Sequence, residues 1–246
     1  MSKTDYQKIN TLFMRDENSI IMPSNMTCAE FEYLQNLKWE CTEKIDGTNI
    51  HCDIFSDGID YRIDIHGRTE KAVIPGHLMA HLIKVFSRTQ VLQVFKEQLA
   101  KATPETPFQA SIYGEGYGVK IQKGGNYIKD GVGFILFDVK VGRWWLNREA
   151  CEDIAKAFEI PIVPLIGYMT IPEAIEFVKA GFKSTIAENK DYDAEGLVLK
   201  TPCGLLFRNG ERIIAKIKTC DFQKYHAKYG DGPVEQKVNP HYKSNE

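Results

Sequence analysis

Strands that follow one another in this sequence are joined by tight-turn signals, and no other feature restricts the fold as much. Asn49 to Phe55 and Ile59 to Ile65 flank Ser56-Asp57-Gly58, which reads as a hairpin. Near the other end, Leu197 to Lys200 leads into a second hairpin, where Leu205-Leu206-Phe207 and Ile213 to Ile217 flank Asn209-Gly210. Gly133 to Val141 is a nearly continuous apolar run and reads as a buried strand; Phe108 to Tyr113 and Ile162 to Met169 are further strands. Tight turns join antiparallel neighbours, so the sheets are expected to be largely antiparallel. Helices are predicted where apolar residues recur at helical spacing, over Leu78 to Phe86 and Val91 to Leu99. Asn147 caps a further helix, Arg148 to Phe158, and Thr170 to Ala180 is one that ends on Gly181. Thr27-Cys28-Ala29-Glu30 reads as a capping box opening a short helix through Leu37. The expected class is α+β: largely antiparallel sheets flanked by helices. No Pro/Gly/Ser-rich linker interrupts it, so residues 1–225 are expected to form one domain and 226–246 a short polar tail.

Composition narrows the function. With 43% hydrophobic and 26% charged residues over 246 positions, the chain is an ordinary globular one. A formal net charge of -2 argues against a DNA-coating protein but leaves room for a local basic groove. The first residues lack a signal-peptide core and no apolar run is long enough to span a bilayer, so an intracellular protein without a membrane partner is expected. The six cysteines form no CxxC pair, which disfavours a zinc site or disulfide framework. His51 and Cys52 are neighbours that point to opposite faces of a strand and make a poor ligand pair.

Six short stretches could carry chemistry. Lys44-Ile45-Asp46-Gly47-Thr48-Asn49 offers a lysine just past a strand; a solvated turn lysine is the alternative. Arg68, in Ile65-His66-Gly67-Arg68-Thr69, is a donor fork suited to phosphate, or an ordinary strand-end arginine. Glu115 stands between glycines that would let a ligand approach the backbone, or that make a loop of mobile turns. Phe137 could stack on a purine or fill a core. Glu195, before Gly196-Leu197-Val198-Leu199-Lys200, could hold a hard cation. Lys216 and Lys218 share one strand face, and a phosphate between them would explain the pair. Each stretch is weak alone, but together they supply every part needed to bind ATP and attack its α-phosphate.

In this order the motifs resemble those of the covalent nucleotidyltransferase superfamily, which contains RNA ligases, DNA ligases and capping enzymes, over Glu43 through Lys218. Thr48-Asn49 after the KxDG looks more like the RNA ligases, particularly the T4 RNA ligase 2 type. The resemblance implies an adenylation-domain fold, a lysyl-AMP on Lys44, and ATP with Mg²⁺ (or Mn²⁺) as the reaction's needs. It implies Glu43, Asn49, Arg68 and Glu115 at the adenosine or its phosphate, and Phe137 against adenine. Lys216 and Lys218 would contact the α-phosphate and Glu195 a divalent metal, with Asp46 at the motif's acidic position. Neighbouring cations and a metal would help make the Lys44 amine available for attack. The expected partner is nucleic acid, as RNA ends or a nicked duplex, and the expected state a monomer.

The residues after Lys218 are too few for the OB-fold or helical domain usual in the family. A compact form of this kind suits a phage- or virus-encoded enzyme. Tyr117 to Lys129, with Lys120, Lys123, Tyr127 and Lys129, is a candidate replacement grip, as are Lys224, Tyr225, His226 and Lys228; solvated polar segments are the alternative for both. A minimal DNA ligase, a capping guanylyltransferase and an inactive nucleotide- or RNA-binding module stand as alternative functions.

Overall fold

The computed structural model of the chain describes residues 6–69, 72–123, 125–230 and 237, so most of the polar tail expected from 226 onward lies outside them. In chain order the first elements are β1 (Asn10–Thr11), β2 (Phe13–Arg15), β3 (Ile21–Met26), α1 (Ala29–Tyr33), β4 (Trp39–Glu43), β5 (Thr48–Ser56) and β6 (Tyr61–Gly67). Then come α2 (Gly76–Val85), α3 (Arg88–Val94), α4 (Lys96–Ala100), β7 (Phe108–Gly118), β8 (Val132–Val141), β9 (Trp144–Trp145) and α5 (Arg148–Ala157). The last are β10 (Leu165–Met169), α6 (Ile171–Ala180), β11 (Gly196–Lys200), β12 (Ile214–Lys218) and α7 (Thr219–Tyr229). The class is α+β with antiparallel sheets, as the turn signals require; one pair, β1 with β12, is parallel. Among the described residues no helix is long and apolar enough to cross a membrane.

These residues divide into two compact units. One is Ile45–Val163 with Tyr6 and Ala187–Asn189; the other is Gln7–Lys44, Pro164–Ile186 and the residues from Lys190 onward. The first unit is built on a sheet of order β6-β5-β7-β8-β9. Strand alternation sorts its two faces. Ile50, Cys52 and Ile54 of β5 pack with Leu78, Leu82, Val91, Phe95 and Phe158 from the helices. Asn49, His51 and Asp53 take the opposite face, in register with Glu115, Tyr113 and Ser111 of β7. β7 does not stop at Tyr113 but runs on through Gly114-Glu115-Gly116 to Gly118. The glycines there are packing sites rather than hinges: a Cβ at Gly114 would meet the Phe134 ring and one at Gly116 the Leu78 side chain.

The second unit carries a sheet of order β1-β12-β11-β4-β10 and the small hairpin β2-β3. Trp39 and Cys41 of β4, Leu197 and Leu199 of β11, and Ala215 and Ile217 of β12 form one apolar face, covered by Ile171, Ala174 and Val178 of α6. Burying each large apolar side chain contributes about 1.5–3 kcal/mol. The even-numbered positions of the same strands, Thr42, Val198 and Lys216, stand in register on the other face. α6 starts as sequence predicts, with Thr170 and Glu173 forming a reciprocal capping box, and Asn147 caps α5 through Ala150.

Two local expectations are corrected. The box at Thr27 does not form: the hydroxyl donates to the Thr11 carbonyl instead, and α1 begins on an uncapped Cys28. Leu205 to Phe207 is not a strand. Leu205 and Leu206 are exposed and bury no face; the turn keeps a Leu206–Arg212 bridge and hydrogen bonds from the Phe207 N–H to the Glu211 carbonyl and from the Ile213 N–H to the Leu205 carbonyl, while β12 pairs with β11.

Candidate active site

β4 ends at Glu43 and delivers Lys44 to the edge of the second unit's polar face. The Lys44 N–H donates to the Gly196 carbonyl at 2.9 Å, which fixes the backbone beside β11. From there Nζ reaches Glu195 Oε2 at 2.6 Å, while Lys218 Nζ takes Oε1 of the same carboxylate at 2.7 Å. Gly196 makes the arrangement possible, because a Cβ on it would sit 1.9 Å from the Ile217 carbonyl oxygen. Only glycine lets β11 lie this close to β12 and bring Glu195 beside Lys218.

Lys216 stands two positions earlier on the same strand. Burial, and then the charges of Lys44 and Lys218, pull its pKa down to about 8. For Lys218 burial pushes the same way, but the hydrogen bond and charge of Glu195 outweigh it and the pKa is raised. Three lysines therefore surround one carboxylate, a surplus of positive charge in a partly buried place, and such a cluster fits a phosphate group. Lys8, from the segment before β1, also adds its charge to the field at Lys216; no local motif marked it. Glu43 is turned inward instead. It is 1% exposed and accepts from the Ser184 hydroxyl and from the N–H and hydroxyl of Thr185. It thereby anchors the end of β4 immediately before Lys44.

In the first unit, Asn49 and Glu115 are direct cross-strand partners on one face. His51 Nε2 lies 2.7 Å from Asn49 Oδ1, so the imidazole donates and the Asn49 amide keeps its own N–H donors for other use. The Asp46 N–H donates to the Tyr127 hydroxyl at 2.8 Å. Gly47 packs on β7, where a Cβ would meet the Gly116 carbonyl oxygen at 2.3 Å. Phe137 is half-buried and meets the Tyr6 ring edge-on at 5.0 Å, while the Tyr6 hydroxyl donates to Asp138. Arg68 is exposed just past Gly67, the partner of Ile50. Each unit thus gathers its own set: Lys44, Glu195, Lys216 and Lys218 in one, Asn49 and Glu115 in the other.

In the candidate grip at Tyr117 to Lys129, Lys120, Lys123 and Lys129 are exposed, and only the aromatic part is corrected. Tyr117 and Tyr127 are buried and packed edge-on against each other at 5.8 Å, so neither ring is available to a base. Of the second candidate, Tyr225 packs on the core beside Phe222, and Lys224, His226 and Lys228 ride on α7.

Among the described residues no group of three or more His, Cys, Asp or Glu side chains could hold a metal ion. The hard oxygens of Glu195 still fit Mg²⁺ or Mn²⁺, because Mg²⁺ commonly takes only one or two protein carboxylates and completes its shell with water and substrate phosphates. A lysine amine, phosphate-binding cations and one hard-cation ligand are what phosphoryl transfer to nitrogen requires.

No curated protein sequence is recognisably similar to the chain. Among solved structures it resembles a Naegleria gruberi RNA ligase with pyrophosphate, at 20% identity and a TM-score of 0.57, over 94% of this chain and 64% of that one. A lysine-to-alanine variant of that ligase with ATP and Mn matches at 18% identity and TM-score 0.56, over 89% and 61%. A glutamate-to-alanine variant with AMP and Mn matches at 17% and 0.56, over 91% and 60%. The likeness establishes a shared fold, and the chain spans about three-fifths of the length of those structures. The sequence model of the family described as RNA ligase matches residues 37–218, a stretch that opens just before Lys44 and closes on Lys218. The chain belongs to the RNA ligase family.

Proposed function

We propose that this chain is an ATP-dependent RNA ligase of the T4 RNA ligase 2 type, joining 5′-phosphate and 3′-hydroxyl ends by way of lysyl-AMP. One observation carries the reading: a single carboxylate, Glu195, holds both the candidate nucleophile Lys44 and the candidate phosphate ligand Lys218. The Naegleria gruberi structures with ATP, AMP and pyrophosphate support the same choice of substrate.

Lys44 Nζ attacks the α-phosphorus of ATP, a P–N bond forms, and the bond to the bridging oxygen breaks with pyrophosphate leaving. Lys216 and Lys218 hold the α-phosphate oxygens and stabilise the charge that grows there. Asn49, Arg68 and Glu115 hold the ribose and phosphate, Glu43 supports the site, and Phe137 lies against adenine. An ammonium gripped by a carboxylate is no nucleophile, so the Lys44–Glu195 pair must open before attack. A divalent cation on Glu195, Mg²⁺ or Mn²⁺, would neutralise phosphate charge when bound; Asp46 belongs to the same acidic set. A 5′-phosphate oxygen then attacks the lysyl-AMP phosphorus and Lys44 leaves. Finally a 3′-hydroxyl attacks the adenylated 5′-phosphate and AMP leaves.

On this reading residues 1–225 work as one adenylation domain in a monomeric, intracellular protein, and residues 226–246 are an accessory tail. Incubation with ATP labelled at the α-phosphate should label the wild-type protein and not Lys44→Ala; retained label on the variant would sink the assignment. Sealing that requires RNA on the 3′-hydroxyl side separates an RNA ligase from a minimal DNA ligase. Absence of any lysyl-AMP would leave a bare binding module.

A further inference from the structure

The β8–β9 hairpin is the edge of the first unit's sheet, and its side chains are not those of a plain edge. Val141 and Lys140 pair with Trp144 and Trp145, and the turn between them, Gly142-Arg143, is exposed. The Trp144 ring is 68% exposed, with the Arg143 guanidinium over it at 5.2 Å. The Lys140 ammonium sits 5.4 Å from the centre of the Trp145 ring. Among the described residues neither cation is in an ion pair. Trp145 faces the same side of the sheet as Lys140, Ser111 and Asp53. There it continues an aromatic row: 5.3 Å to Tyr113, 5.8 Å to Tyr6, and from Tyr6 5.0 Å to Phe137.

A large apolar ring left in water at a sheet edge gains nothing for folding, and a cation beside the exposed Trp144 indole makes a surface with a specific complement; Trp145 and Lys140 point to the opposite face of the sheet. Indole faces take nucleobases, and a guanidinium or ammonium at the ring takes the phosphate between them. The net charge of the whole chain, -2, means that this is local design rather than a general basic surface. Base faces are accessible only where a strand is unpaired, which selects single-stranded over duplex nucleic acid.

We propose that the tip of the β8–β9 hairpin is a docking platform for single-stranded RNA, with a base stacking on the exposed Trp144 ring and the neighbouring phosphate held by Arg143. The inference rests on the ligase reading, since it supplies the strand whose end is to be joined.

Trp144→Ala and Arg143→Glu change exposed side chains and leave the core intact, which circular dichroism would verify. Fluorescence anisotropy would measure their affinity for a labelled single-stranded RNA and for a nicked RNA duplex of the same sequence, at one fixed salt concentration. Each variant should bind the single strand about fivefold or more weakly, and the wild-type tryptophan fluorescence should be quenched by the RNA less in Trp144→Phe. Unchanged single-strand affinity in both variants overturns the proposal, and so does an equal loss on the duplex. Lysyl-AMP formation from ATP, measured in parallel, involves neither side chain. Its absence in the wild type would defeat the ligase reading, while the binding data would still decide on the platform.

Discussion

Lys44 and Lys218 share one carboxylate: Glu195 Oε2 lies 2.6 Å from Lys44 Nζ and Oε1 lies 2.7 Å from Lys218 Nζ. The three side chains come from the ends of β4, β11 and β12, and the shared acid fixes where the amine is held. Two roles of Glu195 can be separated, that of orienting Lys44 and that of binding a divalent cation. Glu195→Gln keeps shape and loses charge, so lysyl-AMP formation should fall by about 100-fold. Half-saturation by Mg²⁺ or Mn²⁺ should move to higher concentration, and Glu195→Asp should recover part of the rate. Metal titration of single-turnover labelling checks this; a lowered rate with unchanged metal dependence would leave only the orienting role.

Lys216 gives the site a pH dependence with a definite sign. Its pKa, lowered to about 8 by burial and then by Lys44 and Lys218, means the side chain is charged below that pH and neutral above it. A bound phosphate favours the charged form, so ATP binding should take up a proton between pH 8 and 9, and KM for ATP should rise several-fold over that range. Lys216→Arg stays charged and should flatten the rise. Calorimetry in buffers of different ionisation heat reads the proton directly, and an equal uptake in Lys216→Arg would remove Lys216 from the phosphate site.

Where sequence reading succeeded, the information was local. The turn at Ser56-Asp57-Gly58 joins β5 and β6 in the register Ser56↔Tyr61, and strand alternation alone puts Lys216 and Lys218 on one face. It failed where a partner lies far along the chain. Nothing near Thr27 announces that its hydroxyl bonds to Thr11, and nothing near Glu43 announces Ser184 and Thr185. The parallel pairing of β1 with β12 rests on two residues about the length of the molecule away in sequence. Tyr127 looked like a surface aromatic among lysines, yet it is 1% exposed, since its hydroxyl accepts from the Asp46 backbone. The platform residues Arg143 and Trp144 carry no motif and become visible only as an exposed edge.

Gly196 offers a test of the packing that brings Glu195 to the lysines. An alanine there would place Cβ 1.9 Å from the Ile217 carbonyl oxygen, and the backbone φ of +151° also disfavours a side chain. The β11–β12 ladder must open to admit it, at a cost of about 3–5 kcal/mol. Gly204, at φ +64° with nothing within 4 Å of its Cβ position, is the control, and alanine there should cost only about 1–2 kcal/mol. Urea unfolding of the two variants compares them directly. A Gly196→Ala protein as stable as Gly204→Ala would mean that the strands can separate freely.

Asp53 connects the polar face of β5 to both its neighbours, and acid should reveal it. Burial alone would raise its pKa, but hydrogen bonds from His66 at 2.8 Å and Ser111 at 2.6 Å, with the charge of His66, outweigh burial and the pKa is lowered. His66 has its other ring nitrogen 2.9 Å from the Gly67 carbonyl oxygen, which holds the ring in place between β5 and β6. A carboxylate with a lowered folded value stabilises the protein at all pH above the unfolded value, and the contribution is lost as pH falls through the folded one. Asp53→Asn should therefore lower Tm at pH 7, with a loss of about 1–3 kcal/mol for the broken charged hydrogen bonds. The gap between wild type and variant should close as pH falls below the ordinary carboxylate value of 3.8. Thermal melts from pH 7 to pH 3 check the sign; a gap that persists or widens in acid would mean that shape, and not charge, is what Asp53 contributes.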